Sequence, residues 1–400
     1  MDSDEGVFLI PNTVSGDYIT FHPLDKRRGS QRGLLLSVEK ASPKRIKPPC
    51  DVAELCGGCA LQPISESSQM ALKSEWVRQA FQPCMDKTTL FRPVEQLSGA
   101  TRRRIRWWRG EDAQGGFLGF RARSSHQPVR QNRCEVVHPA AFALKESIQA
   151  SIPPEVVSVQ VTVLHDGLHV VLEAGEGSSI PELSIVSDIM EVEGLPLQWW
   201  VQDRKSLRPL VKPLRIMHDR VPAGESWIMF RIGPDDFVQG QEAGNIELVR
   251  QVQQWCRGAH RVVDLFSGVG NLSLPLAALG MQVIGAEVRA QSVSRANASA
   301  KEMQIDARYH EADLFGKFDL EPFTGADVLI LDPPRKGARK VCVSMNRLLP
   351  AYIIMISCDI ASGARDAEEL MLQGYSLRQL RALDLFPFTG HVEAMSLWSR

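Results

Sequence analysis

The chain has 400 residues, of which 44% are hydrophobic, and this length and composition predict two or three domains with a sizeable buried core. No apolar run reaches the roughly 18 residues that a membrane-spanning helix needs, and the first ten residues, MDSDEGVFLI, are too acidic and polar for a signal peptide. We therefore expect a cytosolic protein without a membrane segment. The net charge of −1 argues against a uniformly basic nucleic-acid-binding protein.

The charges are unevenly distributed along the chain. Residues 1–136 contain 21 Lys and Arg against 15 Asp and Glu, whereas the remaining residues contain 25 against 32. A basic N-terminal third followed by an acidic remainder is typical of a protein that binds a polyanion with one part and works with another. Ordinary surface variation produces a similar count, so charge alone leaves both interpretations open.

The N-terminal 237 residues are predicted to be rich in β-strands. Residues 1–48 contain short β segments such as VFLIPN and GLLLSVE between Gly, Pro and charged turns, which predicts a small β module. A basic, Pro-containing linker, ASPKRIKPPC, leads into residues 49–237. There, QMALKSEWVRQAF and HPAAFALKESIQASI have helical spacing, and segments such as RRRIRWW, SVQVTVL, LHVVLEA and SWIMFRI have the composition of strands.

From residue 238 to residue 400 the pattern changes to strands that alternate with helices. RVVDLF, MQVIGAE, ADVLILD and AYIIMISC are apolar strands, each followed by a helical or turn segment. This alternation predicts an α/β fold, a doubly wound sheet that binds ligands at the carboxyl ends of its strands. Only LFPFTG connects the last two strands, YSLRQLRALD and HVEAMSLWSR. It is too short for a parallel crossover, so we expect that pair to be antiparallel.

A cofactor site is predicted at the first two strands of this sheet. In DLFSGVGN, Gly268 and Gly270 allow a sharp turn and a close approach of a ligand to the backbone. Taken alone, these glycines are equally consistent with a plain strand–helix connection. Glu287 ends the second strand, where a carboxylate can accept hydrogen bonds from both ribose hydroxyls of an adenosyl group. Asp313, after the third strand, is in place to accept from an adenine amine.

Two further strands bring reactive side chains to the same edge. Asp332 follows the strand VLIL, and Arg335 stands where amino-group methyltransferases usually have an aromatic residue. Cys358 ends the strand AYIIMIS. A cysteine in a core strand is most often just a small apolar side chain, but this one is predicted to lie one strand from a cofactor site. Glu393, in FPFTGHVEAM, is a candidate base, with a solvated carboxylate as the alternative.

A cysteine and a glutamate at the same edge of the sheet suit methylation of a uracil ring. Carbon 5 of uracil is a poor nucleophile, and addition of a thiolate to carbon 6 makes carbon 5 enolate-like, so that it can attack a sulfonium methyl group. A base must then remove the proton on carbon 5 before the thiolate leaves. We therefore assign Cys358 as a candidate nucleophile and Glu393 as its partner base.

Eight cysteines occur in the chain, and four of them are candidate metal ligands. Cys50, Cys56 and Cys59 form a tight set around two glycines, and Cys134, in NRCEVVHP, is the expected fourth ligand. Thiols stay reduced in the cytosol, so disulfides are not expected. Four thiolates suit an iron–sulfur cluster and a zinc ion alike, and the spacing does not separate the two. The other cysteines, Cys84, Cys256 and Cys342, are expected to be structural.

The segment RRRIRWWRG combines cations with two tryptophans. Alternation along a strand would place Arg102, Arg104 and Arg106 on one face, where they can contact phosphates. The alternative is an exposed strand face opposite a Trp-lined core, because Trp107 and Trp108 cannot both face the same way. We expect the arginines to contact RNA.

Four motifs, DLFSGVGN, LDPPRKG, ISCD and DLFPFTGHVEAM, resemble those of the RNA uracil-5-methyltransferases, specifically the 23S ribosomal RNA branch, whose members carry an iron–sulfur cluster and a small N-terminal TRAM domain. The resemblance runs from about Val7 to Arg400. It implies a Rossmann-like S-adenosylmethionine domain at 238–400, a TRAM-like module at 1–48 and a cluster-bearing central domain at 49–237. It also implies Cys358 as nucleophile, Glu393 as base and six side chains around S-adenosylmethionine: Gln239, Phe266, Asn271, Glu287, Asp313 and Asp332.

The same resemblance favours a [4Fe–4S] cluster over zinc on Cys50, Cys56, Cys59 and Cys134, and it implies a monomer that acts on 23S ribosomal RNA. Transfer RNA is the rival substrate, since no residue distinguishes the two. The family's usual Ser-Cys-Asn-Pro reads Ser357-Cys358-Asp359-Ile360 here, and the N-terminal module is short. An RNA-binding or assembly protein with a decayed catalytic centre is therefore the alternative from another class.

Overall fold

The computed structural model describes residues 2, 3, 6–27, 30–95, 97, 101–177, 189–204, 206–316 and 318–400. Within these ranges no helix is both long and apolar enough to cross a membrane. The N-terminal module is a four-stranded sheet with the order β1-β2-β4-β3. Its strands are β1 (Asp2–Ser3), β2 (Gly6–Leu9), β3 (Tyr18–Arg27) and β4 (Ser30–Lys40).

Helix α1 (Glu66–Phe81) follows residues 50–64, which contain Cys50, Cys56 and Cys59 and which we call the cysteine-rich segment. It begins at Ser65, whose hydroxyl accepts a hydrogen bond from the backbone N–H of Ser68 at 3.3 Å, and a short 3₁₀ turn (Gln82–Cys84) follows its end. The next strand, β5 (Leu90–Arg92), does not join the strands that come next in the chain. It instead forms one edge of the C-terminal sheet.

The central region is an eight-stranded sheet in which β10 and β12 are the one parallel pair among its described strands. Helix α2 packs on it, and its core contains Trp107, Leu144 and Trp199. Along the chain its elements are β6 (Arg104–Asp112), β7 (Gly115–Arg121), β8 (Pro128–Arg130), α2 (Pro139–Ile148), β9 (Val156–Val163), β10 (Leu168–Ala174), β11 (Glu191–Val192), β12 (Leu195–Gln202) and β13 (Leu207–Pro209).

An antiparallel hairpin connects the central sheet to the C-terminal sheet. It consists of β14 (Met217–Ala223) and β15 (Ser226–Ile232). The elements that follow are α3 (Glu242–Trp255), β16 (Arg261–Leu265), α4 (Leu274–Ala278), β17 (Gln282–Glu287), α5 (Ala290–Met303), β18 (Ala307–Glu311), β19 (Val328–Leu331), α6 (Arg339–Val343), α7 (Met345–Leu348), β20 (Tyr352–Ser357), α8 (Ile360–Leu372), β21 (Ser376–Leu383) and β22 (Glu393–Ser399).

The C-terminal sheet has the order β18-β17-β16-β19-β20-β22-β21-β5. β22 runs antiparallel to both of its neighbours, whereas the other adjacent strands pair in parallel. The predicted doubly wound α/β fold with an antiparallel terminal pair is therefore confirmed. The carboxyl ends of β16, β17, β19 and β20 meet at one edge of the sheet.

Two hydrophobic cores cover the two faces of this sheet. Successive residues of one strand enter different cores: Val263 packs in the first and Val262 in the second, as the alternation of side chains along a strand requires. The first core also contains Phe81 of α1, and the second contains Phe230 of the β14–β15 hairpin. Residues that precede position 238 therefore complete the cores of the sheet that carries the predicted site.

Candidate active site

A cavity of ≈ 520 Å³ opens at the carboxyl ends of β16, β17, β19 and β20; we call it the strand-end cavity. Its position is the one expected for the ligand site of an open α/β sheet. It brings together seven of the eight cofactor and catalytic residues predicted from the sequence. They are Gln239, Phe266, Asn271, Glu287, Asp332, Cys358 and Glu393.

The eighth predicted residue, Asp313, does not line the cavity. Its side chain is exposed and accepts a hydrogen bond from the backbone N–H of Phe315 at 3.0 Å. Its neighbours Ala312, Leu314 and Phe315 line the cavity instead. The Phe315 ring lies 5.4 Å from the ring of Phe266, so this end of the cavity has an aromatic wall.

The turn after β16 brings the backbone close to the ligand space. Gly270 has a φ of 85°, and a Cβ there would lie only 2.7 Å from the hydroxyl of Tyr309, so only glycine fits. Gly268 donates its N–H to Glu287 at 3.1 Å, and Glu287 also accepts from the backbone of Arg289 at 3.0 Å. These two bonds fix the Glu287 carboxylate at the end of β17, where it borders the cavity.

Amide side chains at the opposite wall are held by reciprocal hydrogen bonds. Asn271 and Asn245 exchange two bonds, at 2.9 and 2.8 Å, so α3 fixes the orientation of Asn271. Gln239 donates to Asp332 at 3.4 Å. Burial raises the pKa of Asp332 to about 7. A carboxyl group with this pKa exchanges a proton near neutral pH.

Two polar residues of the cavity were missed in the sequence analysis. Asp264 is fully enclosed, burial raises its pKa to about 7, and its Oδ2 accepts from Ser273 at 2.5 Å. Its second oxygen and the hydroxyl of Ser267 are buried without a partner among the described residues. Both residues belong to the motif DLFSGVGN, which was interpreted through its two glycines alone. The polar side chains of the same motif were the signal that could have identified them. Unpartnered buried polar atoms are costly unless a ligand or water satisfies them.

Cys358 and Glu393 face the same cavity from neighbouring strands. Cys358 follows β20 and is half-buried; burial, together with Glu393 and Asp332, raises the pKa of its thiol to about 12. Glu393 is the first residue of β22. Burial and the Asp332 carboxyl raise the pKa of Glu393 to about 8. Both groups therefore hold their protons more strongly than free side chains do.

Arg335 and His391 also border the cavity. The positive charge of Arg335 lowers the pKa of both Cys358 and Glu393, against the larger effect of burial. Its guanidinium lies 3.4 Å from Nε2 of His391. In the sequence, Arg335 is evident only as a departure from amino-group methyltransferases, and no motif singles out His391. Asp359, after Cys358, accepts from the N–H of Ser362 at 2.8 Å and so caps α8.

A second, smaller cavity, of ≈ 50 Å³, is lined by all four predicted cysteine ligands, Cys50, Cys56, Cys59 and Cys134; we call it the cysteine cavity. All four are free thiols. Burial raises the pKa of Cys56, while the N–H of Gly58, at 3.4 Å from the sulfur, opposes this. Within the described ranges, no three His, Cys, Asp or Glu side chains are placed as ligands of a single metal ion.

The basic segment is split between two places. Arg104 and Arg106 lie on β6 and line a shallow groove of ≈ 180 Å³ on the central sheet, as the predicted alternation requires. Arg102 precedes the strand and lines the cysteine cavity, so the prediction of one face for all three arginines is wrong. The cause is that Arg102 forms isolated bridges with Val137 and Gln241 instead of continuing β6. Trp107 is fully buried.

Comparisons with known proteins identify relatives over nearly the whole chain. A protein named 23S rRNA (uracil(1939)-C(5))-methyltransferase RlmD from Shewanella piezotolerans is 30% identical over 98% of this chain and 90% of its own length. The chain belongs to the RNA uracil-5-methyltransferase family. Relatives with the same printed name from Halomonas elongata and Methylococcus capsulatus are also 30% identical, over 99% of this chain and over 85% and 93% of their own lengths.

Two further comparisons concern the C-terminal part of the chain and the fold. The family model described as tRNA (Uracil-5-)-methyltransferase matches residues 215–400. The solved structure of a tRNA (uracil-54, C5)-methyltransferase from Pyrococcus abyssi, in complex with S-adenosyl-L-homocysteine, has a TM-score of 0.75 and 22% identity. It covers 98% of this chain and 95% of that chain, and it shows that the two share a fold along their whole length.

Proposed function

We propose that the protein methylates carbon 5 of a specific uridine in 23S ribosomal RNA, with S-adenosylmethionine as methyl donor. The observation that carries this proposal is that Cys358, Glu393 and the predicted cofactor side chains line one cavity. The relatives that match over nearly the whole chain are named for this reaction on 23S ribosomal RNA. With that substrate, we place the protein in the cytosol.

The strand-end cavity fits S-adenosylmethionine, which supplies an electrophilic methyl group when it is bound. Glu287 is held where its carboxylate can accept from ribose hydroxyls, and Phe266 and Phe315 offer apolar faces to an adenine. The unpartnered atoms of Asp264 and Ser267 offer hydrogen-bonding positions for polar groups of the cofactor. Asp313, exposed beside the cavity, is the weakest of the proposed cofactor contacts.

Cys358 supplies the nucleophile for the first chemical step. Its thiol must lose a proton to water, and its sulfur then forms a bond to carbon 6 of the uracil while the double bond between carbons 5 and 6 opens, which makes carbon 5 nucleophilic. The raised pKa of Cys358 makes this proton loss costly, and Arg335 reduces the cost because its positive charge favours the thiolate.

Glu393 supplies the base for the last step. After methyl transfer, carbon 5 carries both the new methyl group and its original proton. Glu393 takes that proton, the bond between carbon 6 and the Cys358 sulfur breaks, and the thiolate is regenerated. A carboxylate with a pKa of about 8 is a stronger base than an ordinary glutamate, which suits the removal of a proton from carbon.

We further propose that the cysteine cavity holds a [4Fe–4S] cluster. The donor set consists of thiols alone, which is what iron–sulfur clusters require. In such a cluster each iron takes its own thiolate, so the four sulfurs need not converge on one point. Arg102 lines the cavity together with Glu135, and Arg123 is near enough to lower the pKa of Cys56, so two cations lie near the place where a negatively charged cluster would lie.

The cluster proposal is tested with Cys56→Ala. We expect loss of the brown colour and of the visible absorption of the purified protein, together with weaker RNA binding, because the segment before α1 loses its anchor. Cys84→Ala, which removes a buried cysteine outside the cavity, is the control. A Cys56→Ala protein without iron that binds RNA as tightly as the unaltered chain would contradict a structural role for the cluster.

Transfer RNA is the second candidate substrate. It is favoured by the family model and by the solved structure, whose descriptions both name transfer RNA. The chemistry would be the same, so only the choice of RNA separates the two candidates.

The decisive experiment is methylation with labelled S-adenosylmethionine under anaerobic conditions. Unmodified 23S ribosomal RNA and unmodified transfer RNA are incubated separately, with Cys358→Ala as the control, and the digested RNA is analysed for 5-methyluridine. We expect label in ribosomal RNA alone, and none with the variant. Label only in transfer RNA would show that transfer RNA, and not 23S ribosomal RNA, is the substrate. Cofactor binding without label in either RNA would favour an RNA-binding protein with a decayed catalytic centre. Asp359→Asn, which introduces the residue usual in the family, would then be the first variant to assay.

A further inference from the structure

The loop between β21 and β22, residues 384–392, forms a wall between the two cavities. Leu385, Pro387 and Thr389 line the cysteine cavity, and His391 lines the strand-end cavity. Phe386 lines both. The residue that follows this β21–β22 loop is Glu393, the proposed base. Glu393 pairs with Leu383, the last residue of β21, so the loop joins the two members of the strand pair that carries the proposed base.

The loop contains a backbone conformation that its sequence disfavours. Phe388 has a φ of 62°, in the left-handed region that a bulky residue seldom adopts. Such a conformation persists only where surrounding contacts hold it. The hydrogen bonds to Phe388 come from outside the loop.

One of those contacts is Gln69 of α1. Its Oε1 accepts a hydrogen bond from the backbone N–H of Phe388 at 2.9 Å, and its Nε2 donates to the carbonyl of Ile64 at 3.0 Å. Gln69 is 2% exposed. Because both ends of the amide are used, its orientation is set, and it ties Phe388 to the start of α1.

Lys73, one helical turn further along α1, holds the other end of the loop. Its ammonium group is fully buried and donates to Asp384 at 2.7 Å and to the carbonyl of Phe386 at 2.9 Å. Residues four apart lie on the same face of a helix, so Gln69 and Lys73 contact the loop together. From the cysteine-rich segment, the N–H of Leu61 adds a bond to the carbonyl of Phe388 at 2.8 Å.

We propose that Gln69 and Lys73 are positioning residues for the methylation: they hold the β21–β22 loop in the conformation that places Glu393 in the strand-end cavity. This inference rests on the proposed function. Neither residue lines the strand-end cavity, so both act through the loop and neither is a catalytic residue. Through Leu61, two residues after Cys59, the cysteine-rich segment contributes to the same support.

The order of the chemical steps gives the inference a specific signature. Formation of the bond between the Cys358 sulfur and carbon 6, and methyl transfer to carbon 5, both precede the removal of the carbon-5 proton. A displaced Glu393 leaves those bonds formed and delays only the proton transfer that releases the sulfur. The covalent complex between protein and methylated RNA should therefore accumulate.

The test compares Gln69→Met with Gln251→Met. Gln251 is the matched control because it is also 2% exposed and its Oε1 also accepts one bond at 2.9 Å, but from the side chain of Arg381 on β21 and not from the backbone of the loop. For Gln69→Met we expect turnover to fall by about 10- to 100-fold with an unchanged affinity for S-adenosylhomocysteine. We also expect a denaturant-resistant protein–RNA adduct on gels. Gln251→Met should show neither change, at a similar melting temperature.

A second variant, Gln69→Glu, keeps an acceptor for the N–H of Phe388 but loses the donor to the carbonyl of Ile64, so it should restore only part of the turnover. If the unaltered protein makes no 5-methyluridine, the proposed function fails. If the unaltered protein is active and Gln69→Met behaves like Gln251→Met, with no adduct, the positioning role is overturned. Equal losses of turnover and of cofactor affinity in Gln69→Met would also overturn it, because they indicate general damage to the fold.

Discussion

The two proposed reactive side chains of this protein both carry protons at neutral pH. The pKa of Cys358 is raised to about 12 and that of Glu393 to about 8, chiefly because both groups are buried beside other carboxyl groups. Arg335 is the cation that opposes these shifts. Its charge therefore sets how much thiolate and how much carboxylate are present at a given pH.

Removing this charge should slow the reaction and displace its pH dependence. In Arg335→Met the pKa of both groups rises further, so the deprotonated fractions at pH 7.5 fall, by about tenfold for each unit of pKa. We expect the single-turnover rate to rise with pH between 6.5 and 9.5 in the unaltered protein, and the whole profile to be displaced to higher pH in the variant. Arg335→Lys, which keeps a cation, is the control. Identical profiles for Arg335→Met and the unaltered chain would show that Arg335 has no such effect.

At the scale of a secondary-structure element, β6 places its core-forming apolar side chains on one face and its arginines on the other. Ile105 and Trp107 are buried in the core of the central sheet, while Arg104 and Arg106 line the groove on the other face. Trp108 lies on the groove side, where the guanidinium of Arg121 stacks on its ring at 3.4 Å. Glu173, which pairs with Arg106 at 3.3 Å, also lines the groove. Arginines beside an aromatic ring are suited to single-stranded RNA.

The β6 arginines should affect RNA binding through salt. In the double variant Arg104→Gln and Arg106→Gln we expect the slope of log affinity against log salt to become less negative by about 1.4, or about 0.7 for each lost phosphate contact to a single strand. Arg308→Gln, which alters an exposed arginine on β18 at the far edge of the C-terminal sheet, is the control. Titration of labelled RNA at several salt concentrations measures both slopes. A weaker affinity with an unchanged slope would mean that these arginines do not contact phosphates.

At the scale of the whole molecule, local patterns predicted more than contacts between distant segments. Strand–helix alternation from residue 238 onward was sufficient to predict the doubly wound sheet. It also predicted that Cys358 lies at the ligand-binding edge, because the strand ends of such a sheet meet at one edge. Nothing in the sequence of β5 indicates that it pairs with β21, nearly 300 residues later. The sharing of Phe386 between two cavities and the departure of Arg102 from β6 likewise depend on packing between remote segments.

These remote contacts predict that the C-terminal sheet is not independently stable. Phe81 of α1 and Phe230 of the hairpin are 0% and 1% exposed within its two cores, so a fragment of residues 238–400 would open both faces. We expect this fragment to bind no S-adenosylhomocysteine by calorimetry and to unfold without a cooperative transition.

In the full chain, Phe81→Ala should lower the free energy of unfolding by about 3–5 kcal/mol, the usual cost of a cavity left by a buried aromatic ring. Leu372→Ala, at a residue that is 79% exposed on α8, should change it by less than about 0.5 kcal/mol. Denaturant titrations with and without S-adenosylhomocysteine measure both values. Cofactor affinity in the 238–400 fragment equal to that of the full chain would contradict this argument, because it would show that the sheet needs neither α1 nor the hairpin to form its site.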